Sequence, residues 1–199
     1  MVQQASVVTP ERFAQGMSYT DYVASIERNQ KRFEENYAGT DIPAEDIAAF
    51  KSLMAKPNGP ARLLVIGEDW CPDVFRGMPV FQKLAEATGL EIKIMKRDDN
   101  KDVIAEFLNG GEFESIPVAV FYTKDMQELC HFIERPAKAN AEMKDLAPMY
   151  ARLRKPDMTD EERAAARQEY IDFQNGPVWG GWRLETVKEC LRGLEAAVK

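Results

Sequence analysis

The residues of this chain whose types and spacing could do chemistry form one short run, Glu68-Asp69-Trp70-Cys71-Pro72-Asp73-Val74. It lies where a continuous apolar run, Leu63-Leu64-Val65-Ile66, hands over to a stretch that reads as helical from Pro72 to Ala87. An apolar run of that length is what a strand covered on both faces requires. Cys71 is therefore expected at the N-cap, with Pro72 at the first helical position, where the missing N–H is no loss. The opening N–H groups of a helix are unpaired and carry partial positive charge. Both stabilise a thiolate, the nucleophilic form of cysteine. Asp73, in the first turn, opposes a second negative charge, so the sequence does not sign the net pKa shift. Two states stay open for Cys71: a reactive thiol, and the inert buried thiol common among free cysteines. On the first, Cys71 is expected to alkylate well below pH 8 and ahead of the other cysteines.

Those others are Cys130 and Cys190. Three widely spaced cysteines are not a disulfide framework, and they suggest a reducing, cytoplasmic setting. No pair has zinc-site spacing and the single histidine, His131, cannot supply a cluster, so no metal or tightly bound cofactor is expected. Cys190 falls on the apolar side of the last helix and reads as core; His131 reads as a surface or satisfied-core residue. Asp98-Asp99-Asn100-Lys101-Asp102 opens like a calcium loop, but Val103 stands where glycine is needed and Asn109 where the bidentate glutamate belongs. Trp179 and Trp182, among glycines, are expected to pin a loop onto the core.

The elements that must position Cys71 can be read from periodicity and punctuation. Thr9-Pro10-Glu11 opens a helix, Tyr22, Ile26, Phe33 and Tyr37 continue at roughly 3.6-residue spacing, and Gly39 ends it. A second helix from about Asp41 buries Ile47, Phe50 and Met54 and stops at Lys56-Pro57-Asn58-Gly59-Pro60. After the 63–66 strand and its helix come an alternating strand over Glu91–Lys96 and a helix over Asn100–Leu108, stopped by Gly110-Gly111. A second apolar strand over Val118–Tyr122 then turns at Thr123-Lys124-Asp125-Met126 into Gln127–Ile133. Strand, helix, strand, helix and hairpin make an α/β pattern with a mixed sheet. Beyond Arg135-Pro136 one helical segment runs to about Arg154 with a kink at Pro148. Thr159 and Glu162 form a capping box for the next, which ends at Asn175-Gly176-Pro177. The last helix carries Leu184, Val187, Leu191, Leu194 and Val198 on one side. Residues 1–59 thus read as an N-terminal helical region, 60–134 as the core and 135–199 as a C-terminal helical region, together one compact domain.

Composition bounds the function. The chain has 199 residues, 33 acidic against 26 basic, a net charge of −7 and 45% hydrophobic residues. A chain of this size buries roughly 70% of its surface on folding, and its apolar fraction excludes wholesale disorder. No Lys/Arg stripe suits a phosphate backbone, so no nucleic-acid partner is expected. No apolar run nears the roughly 18 residues of a membrane span, so no membrane partner is expected. Met1-Val2-Gln3-Gln4-Ala5-Ser6 lacks a basic flank and an apolar stretch, so no export signal is expected.

Over roughly residues 60–134 the sequence resembles the thioredoxin superfamily. The family places Trp-Cys-x-x-Cys after a central strand, and Trp70-Cys71-Pro72-Asp73-Val74 stands here. Its helix-kinking proline, eight positions past the first cysteine, is matched by Pro79, and its cis-proline, some forty-five residues on, by Ser115-Ile116-Pro117-Val118. The Trp-Cys-Pro-Asp wording is similar to a bacterial thioredoxin-like subfamily with helical additions. The resemblance implies a thioredoxin-like fold with N- and C-terminal helical extensions and a cis Ile116–Pro117 bond beside Cys71. It also implies a substrate groove shaped by Trp70, Pro72, Asp73, Val74, Ile116 and Pro117, in which the backbone before the cis-proline pairs with an extended substrate. Two departures matter. Val74 replaces the second cysteine, whose thiolate would attack the mixed disulfide and free the product. Val65 stands where the family has a buried acid. Dithiol turnover is therefore not expected. Two functions stay in view: a redox protein with Cys71 as its single catalytic thiol, acting on protein or glutathione thiols and disulfides with glutathione as co-substrate, and a redox-inactive module that binds a partner peptide. Cys130, on the edge strand, is expected to lie too far from Cys71 to resolve its disulfide. The sequence leaves the oligomeric state open.

Overall fold

The computed structural model describes residues 6–199, so the export-signal expectation falls mostly on residues 1–5, outside the described part. Its centre is a four-stranded mixed sheet built from β1 (Arg62–Gly67), β2 (Glu91–Lys96), β3 (Val118–Tyr122) and β4 (Glu128–Ile133), in the order β2-β1-β3-β4. β1 pairs parallel with β2 and antiparallel with β3; β3 and β4 form an antiparallel hairpin. Leu63, Leu64, Val65 and Ile66 are all 0% exposed, as an apolar run in a doubly covered strand must be. The sheet is flanked by helices, giving the thioredoxin-like architecture that the resemblance implies.

The helices follow their caps. α1 (Pro10–Ala14) starts at Thr9, whose Oγ1 accepts from the Arg12 N–H. α2 (Tyr19–Ser25), α3 (Gln30–Ala38) and α4 (Ala44–Met54) complete the N-terminal region. The single helix expected from Thr9 to Gly39 is instead three. At Met17 the backbone forms an antiparallel bridge to Ile94 on β2, made close by Gly16, where a Cβ would lie 2.8 Å from the Lys93 Cβ. At Glu27 and Arg28 the N–H groups turn away to the Asp69 carboxylate, and Asn29 takes a left-handed φ of 59°. Long-range hydrogen bonds outweigh the local period at both breaks.

α5 (Pro72–Thr88) follows β1, and α6 (Lys101–Ile104) follows β2 and stops short of the expected Leu108. In the C-terminal region α7 (Ala137–Glu142) and α8 (Ala147–Leu153) replace one kinked helix; Pro148 sits in the first turn of α8, where proline starts a helix. α9 (Asp160–Asn175) has both bonds of the Thr159/Glu162 capping box. α10 (Pro177–Ala197) buries Trp179, Trp182, Thr186, Val187, Cys190 and Leu194, so its inner face includes the two tryptophans, and Leu184 is only half-buried. The tryptophans stand in the first turns of α10 rather than in a loop. One apolar cluster runs from Val8 to Val198 through the sheet and the helices other than α8 and α9, with Phe173 of α9 packed against it. Among the described residues no helix is long and apolar enough to cross a membrane, and no three His, Cys, Asp or Glu side chains gather as metal ligands.

α5 packs against the end of β1 because Gly67 has no side chain: a Cβ there would lie 2.7 Å from Val74 Cγ1. Gly67→Ala is expected to destabilise the protein by about 1–3 kcal/mol through overpacking, and by less in a Val74→Ala background, where the clash is gone. Denaturant midpoints of the two single variants and the double variant measure the coupling; additive effects would contradict the close approach.

Candidate functional site

The site is built where β1 gives way to α5. The three residues between β1 and the Cys71 cap are tied on both sides. The Glu68 carboxylate accepts the Asp98 N–H at 2.7 Å, and burial, the largest influence on it, raises its pKa. The Asp69 carboxylate accepts from Glu27 and Arg28, while Asn29 Nδ2 donates to the Asp69 carbonyl at 2.8 Å. Trp70 is 44% exposed and lies over the Arg97 guanidinium, 5.0 Å from its ring centroid. Arg97 is itself tied to Asp98 and to the Glu114 carbonyl.

Cys71 is the N-cap residue of α5, with Pro72 first in the helix. It is half-buried. Its Sγ donates to the Ile116 carbonyl at 3.6 Å, and the Ile116–Pro117 bond is cis. Gly77 lets α5 approach that proline, since a Cβ would stand 3.2 Å from Pro117 Cγ. Val74, one turn into the helix, is 0% exposed against Gly67 and presents only methyl groups behind the sulfur. Trp70, Cys71, Pro72, Asp73, Val74, Ile116 and Pro117 are thus brought to one corner of the molecule. Val65, 0% exposed in β1, puts an apolar side chain where the family has its acid.

The electrostatics were only partly visible in the sequence. Asp73 is clamped by two arginines, with Oδ1 2.5 Å from Arg76 Nη1 and Oδ2 2.7 Å from Arg135 Nη2. Arg76 is 0% exposed, its guanidinium 5.1 Å from the Trp179 ring centroid and 5.6 Å from that of Trp182. Its Nη2 also donates to the Glu134 carbonyl at 3.3 Å, and Arg135 meets the Glu134 carboxylate. The Asp73-x-x-Arg76 spacing was a readable i,i+3 signal; no sequence signal places Arg135, Glu134 or the two tryptophans beside it.

These groups settle the sign left open above. Burial pushes the Cys71 thiol up, the Asp73 charge pushes it further, and Glu134 adds a little. The N–H groups of Val74 and Asp73 pull it down and are outweighed. The helix terminus does act on the sulfur, but dehydration at a half-buried position wins. The expectation of alkylation well below pH 8 is corrected accordingly: at neutral pH Cys71 rests as a thiol on the Ile116 carbonyl.

The other cysteines stand elsewhere. Cys130 pairs with Phe121 on β3, which pairs with Leu63 on β1. It is therefore two strands across, roughly 10 Å, and four residues back from Gly67, roughly 13 Å, far beyond the Cα separation of about 7 Å that a disulfide tolerates. Its sulfur faces α10 at Gly193, where a Cβ would lie 3.2 Å away, and burial raises its pKa to about 12. Cys190 is 3% exposed in the core and burial raises its pKa well above the usual thiol range. His131 is on the surface with Nδ1 2.6 Å from Glu128 Oε1.

Beside the corner lies a groove of about 290 Å³ between Trp70, Pro72 and Phe75 on one side and Arg167, Tyr170 and Ile171 of α9 on the other. No local pattern in the sequence signals that α9 forms this wall.

Asp73→Asn is expected to move the pH profile of Cys71 alkylation to lower pH and to speed the reaction at pH 8 on the order of threefold, the scale of one partly screened charge. Iodoacetamide labelling followed residue by residue in a mass spectrometer checks this; an unmoved profile would remove Asp73 from the account.

A thioredoxin family model matches residues 16–149. Two solved structures have the same fold. One, a protein of unknown function from Pseudomonas aeruginosa, is 17% identical with a TM-score of 0.65 over 96% of this chain and 99% of its own. The other, an HIV epitope-scaffold, is 20% identical with a TM-score of 0.63 over 97% of this chain and 99% of its own. No curated protein matches the sequence. The matched span holds the sheet, α5 and the Trp70–Val74 and Ile116–Pro117 segments, and on that match this chain belongs to the thioredoxin family.

Proposed function

We propose that the chain is a single-thiol redox protein in which Cys71 forms mixed disulfides with protein or glutathione thiols. The observation that carries this reading is the half-buried Cys71 sulfur at the head of α5, 3.6 Å from the Ile116 carbonyl and flanked by an exposed Trp70. A substrate chain paired with the Ile116 backbone brings its own sulfur to Cys71.

The chemistry takes two steps. The Cys71 thiol first loses its proton to solvent. Its thiolate then attacks one sulfur of a disulfide; that S–S bond breaks, a new bond joins Cys71 to the attacked sulfur, and the other sulfur leaves as a thiolate. Release needs a second thiolate. Val74 has none to offer, Cys130 faces α10 and Cys190 is buried on α10, so an external thiol such as glutathione attacks the mixed disulfide, takes the substrate sulfur and restores Cys71. Trp70, Pro72, Ile116 and Pro117 border the site. Asp73, held by its arginines, raises the thiol's pKa and so sets how readily the thiolate forms. Because the Cys71 pKa is raised, the thiolate fraction and the attack rate climb with pH through the neutral range instead of levelling off below it.

A second reading, a redox-inactive peptide-binding module, draws on the same raised pKa and on Val74. Exposure to oxidised glutathione separates the two. The redox reading expects a glutathione adduct on Cys71 that persists until a free thiol is added, seen by intact-mass and peptide mass spectrometry; absence of any adduct at pH 8.5 favours the binding module. Insulin-disulfide reduction with dithiothreitol is expected to be accelerated little by the protein and about tenfold or more by Val74→Cys, which supplies the missing thiol. Strong acceleration by the unaltered chain would mean that a second cysteine reaches Cys71 after all.

A further inference from the structure

We propose that the groove between α9 and the Trp70–Pro72 corner receives an acidic segment of the cysteine-bearing protein that Cys71 engages; this rests on the redox reading above. Residues 167, 170, 171 and 174 fall on one face of α9, so Arg167, Tyr170 and Ile171 stand together opposite Trp70 and Phe75. Trp70 is 44% and Ile171 38% exposed, leaving two large apolar side chains without a cover on facing walls.

The charge of this groove runs against the rest of the protein. The chain carries a net charge of −7, yet no carboxylate lines the groove and two arginines do. One of them, Arg32, is engaged: its guanidinium lies over the Phe75 ring, 5.6 Å from the centroid, with Nη1 2.6 Å from Glu35 and Nη2 donating to Gln174 at 2.8 Å. Arg167 joins no ion pair among the described residues, and its neighbours on α9 are occupied elsewhere. Glu169 pairs with Arg152 at 2.7 Å, and Asp172 accepts from Gln168 at 2.8 Å. Asp73, whose field reaches Tyr170, is held by Arg76 and Arg135. Of the charged side chains that line the groove, Arg167 alone is without an ion pair among the described residues. A segment bonded through its cysteine to Cys71 passes Trp70 and Pro72 at once, seats an apolar side chain between Trp70 and Ile171, and brings a carboxylate to Arg167.

The test uses two peptides, each with one cysteine capped as a 2-thiopyridyl disulfide, one with acidic residues after an apolar neighbour and one with lysines in their place. Attack by the Cys71 thiolate forms the Cys71–peptide disulfide and expels pyridine-2-thiolate, which takes a proton and is read by its absorbance; mass spectrometry places the adduct. The overall negative charge of the protein favours the lysine peptide. We expect the acidic peptide to react about two- to fivefold faster at low salt, with the difference fading as salt is added. Arg167→Glu reverses the order, and Lys51→Glu, the same charge change on α4, does not. Equal rates, a faster lysine peptide, or a preference that survives Arg167→Glu overturns the groove assignment alone, provided that Cys71 reacts with 2,2′-dipyridyl disulfide. A Cys71 inert to that small reagent overturns the redox reading and this inference together.

Discussion

A guanidinium fully removed from water governs the arrangement of this molecule. Arg76 is 0% exposed, and an isolated charge in such a place costs several kcal/mol unless it is paired. Four partners meet that requirement: the Asp73 carboxylate, the Glu134 carbonyl, and the faces of Trp179 and Trp182. They come from the first turn of α5, from the chain leaving β4 and from the start of α10. The need to compensate one charge therefore ties the C-terminal helices to the corner that holds Cys71. Tryptophan faces suit the task because their quadrupole attracts a cation while their edges fill apolar space.

The same cluster sets the character of the sulfur. An acid in the first turn behind a helix-capping cysteine, left to itself, sets its full charge against a thiolate. Here Arg76 and Arg135 hold that carboxylate in place, its charge still raises the thiol's pKa, and dehydration of the half-buried thiol is the largest influence. The helix N-terminus is present with its usual sign and is too weak alone to decide the outcome. Val74 completes the picture: it is packed against Gly67 as part of the core, so the position of a second thiol has become part of the hydrophobic contact between α5 and β1. Stability and the single-thiol character of the site share that contact.

Helices outside the central sheet do more than enlarge the core. The loop before α3 fastens Asp69, and α9 supplies the far wall of the groove beside Trp70. With both supports, the strand-to-helix turn is held from either side, and the groove beside it is walled largely by residues remote in sequence from Cys71.

Much of this was legible in the sequence, and the reason is locality. The four apolar residues 63–66, the Cys71 cap with Pro72 behind it and the Thr159/Glu162 box are each set by neighbours a few residues away, and all three took the expected form. Residues 10–38 were misread as one helix because the Met17–Ile94 bridge and the Asp69 contacts join segments far apart in the chain. The sign of the Cys71 shift, the burial of Arg76 between two tryptophans and the α9 wall were likewise beyond reach of the sequence. By itself the sequence determined the four strands and that one thiol stands at a helix N-terminus with a valine in place of its partner, since covalent spacing and local hydrogen bonding fix these. Only the tertiary structure decided how dry that thiol is and which charges face it, because dehydration and Coulomb energy depend on distances through space.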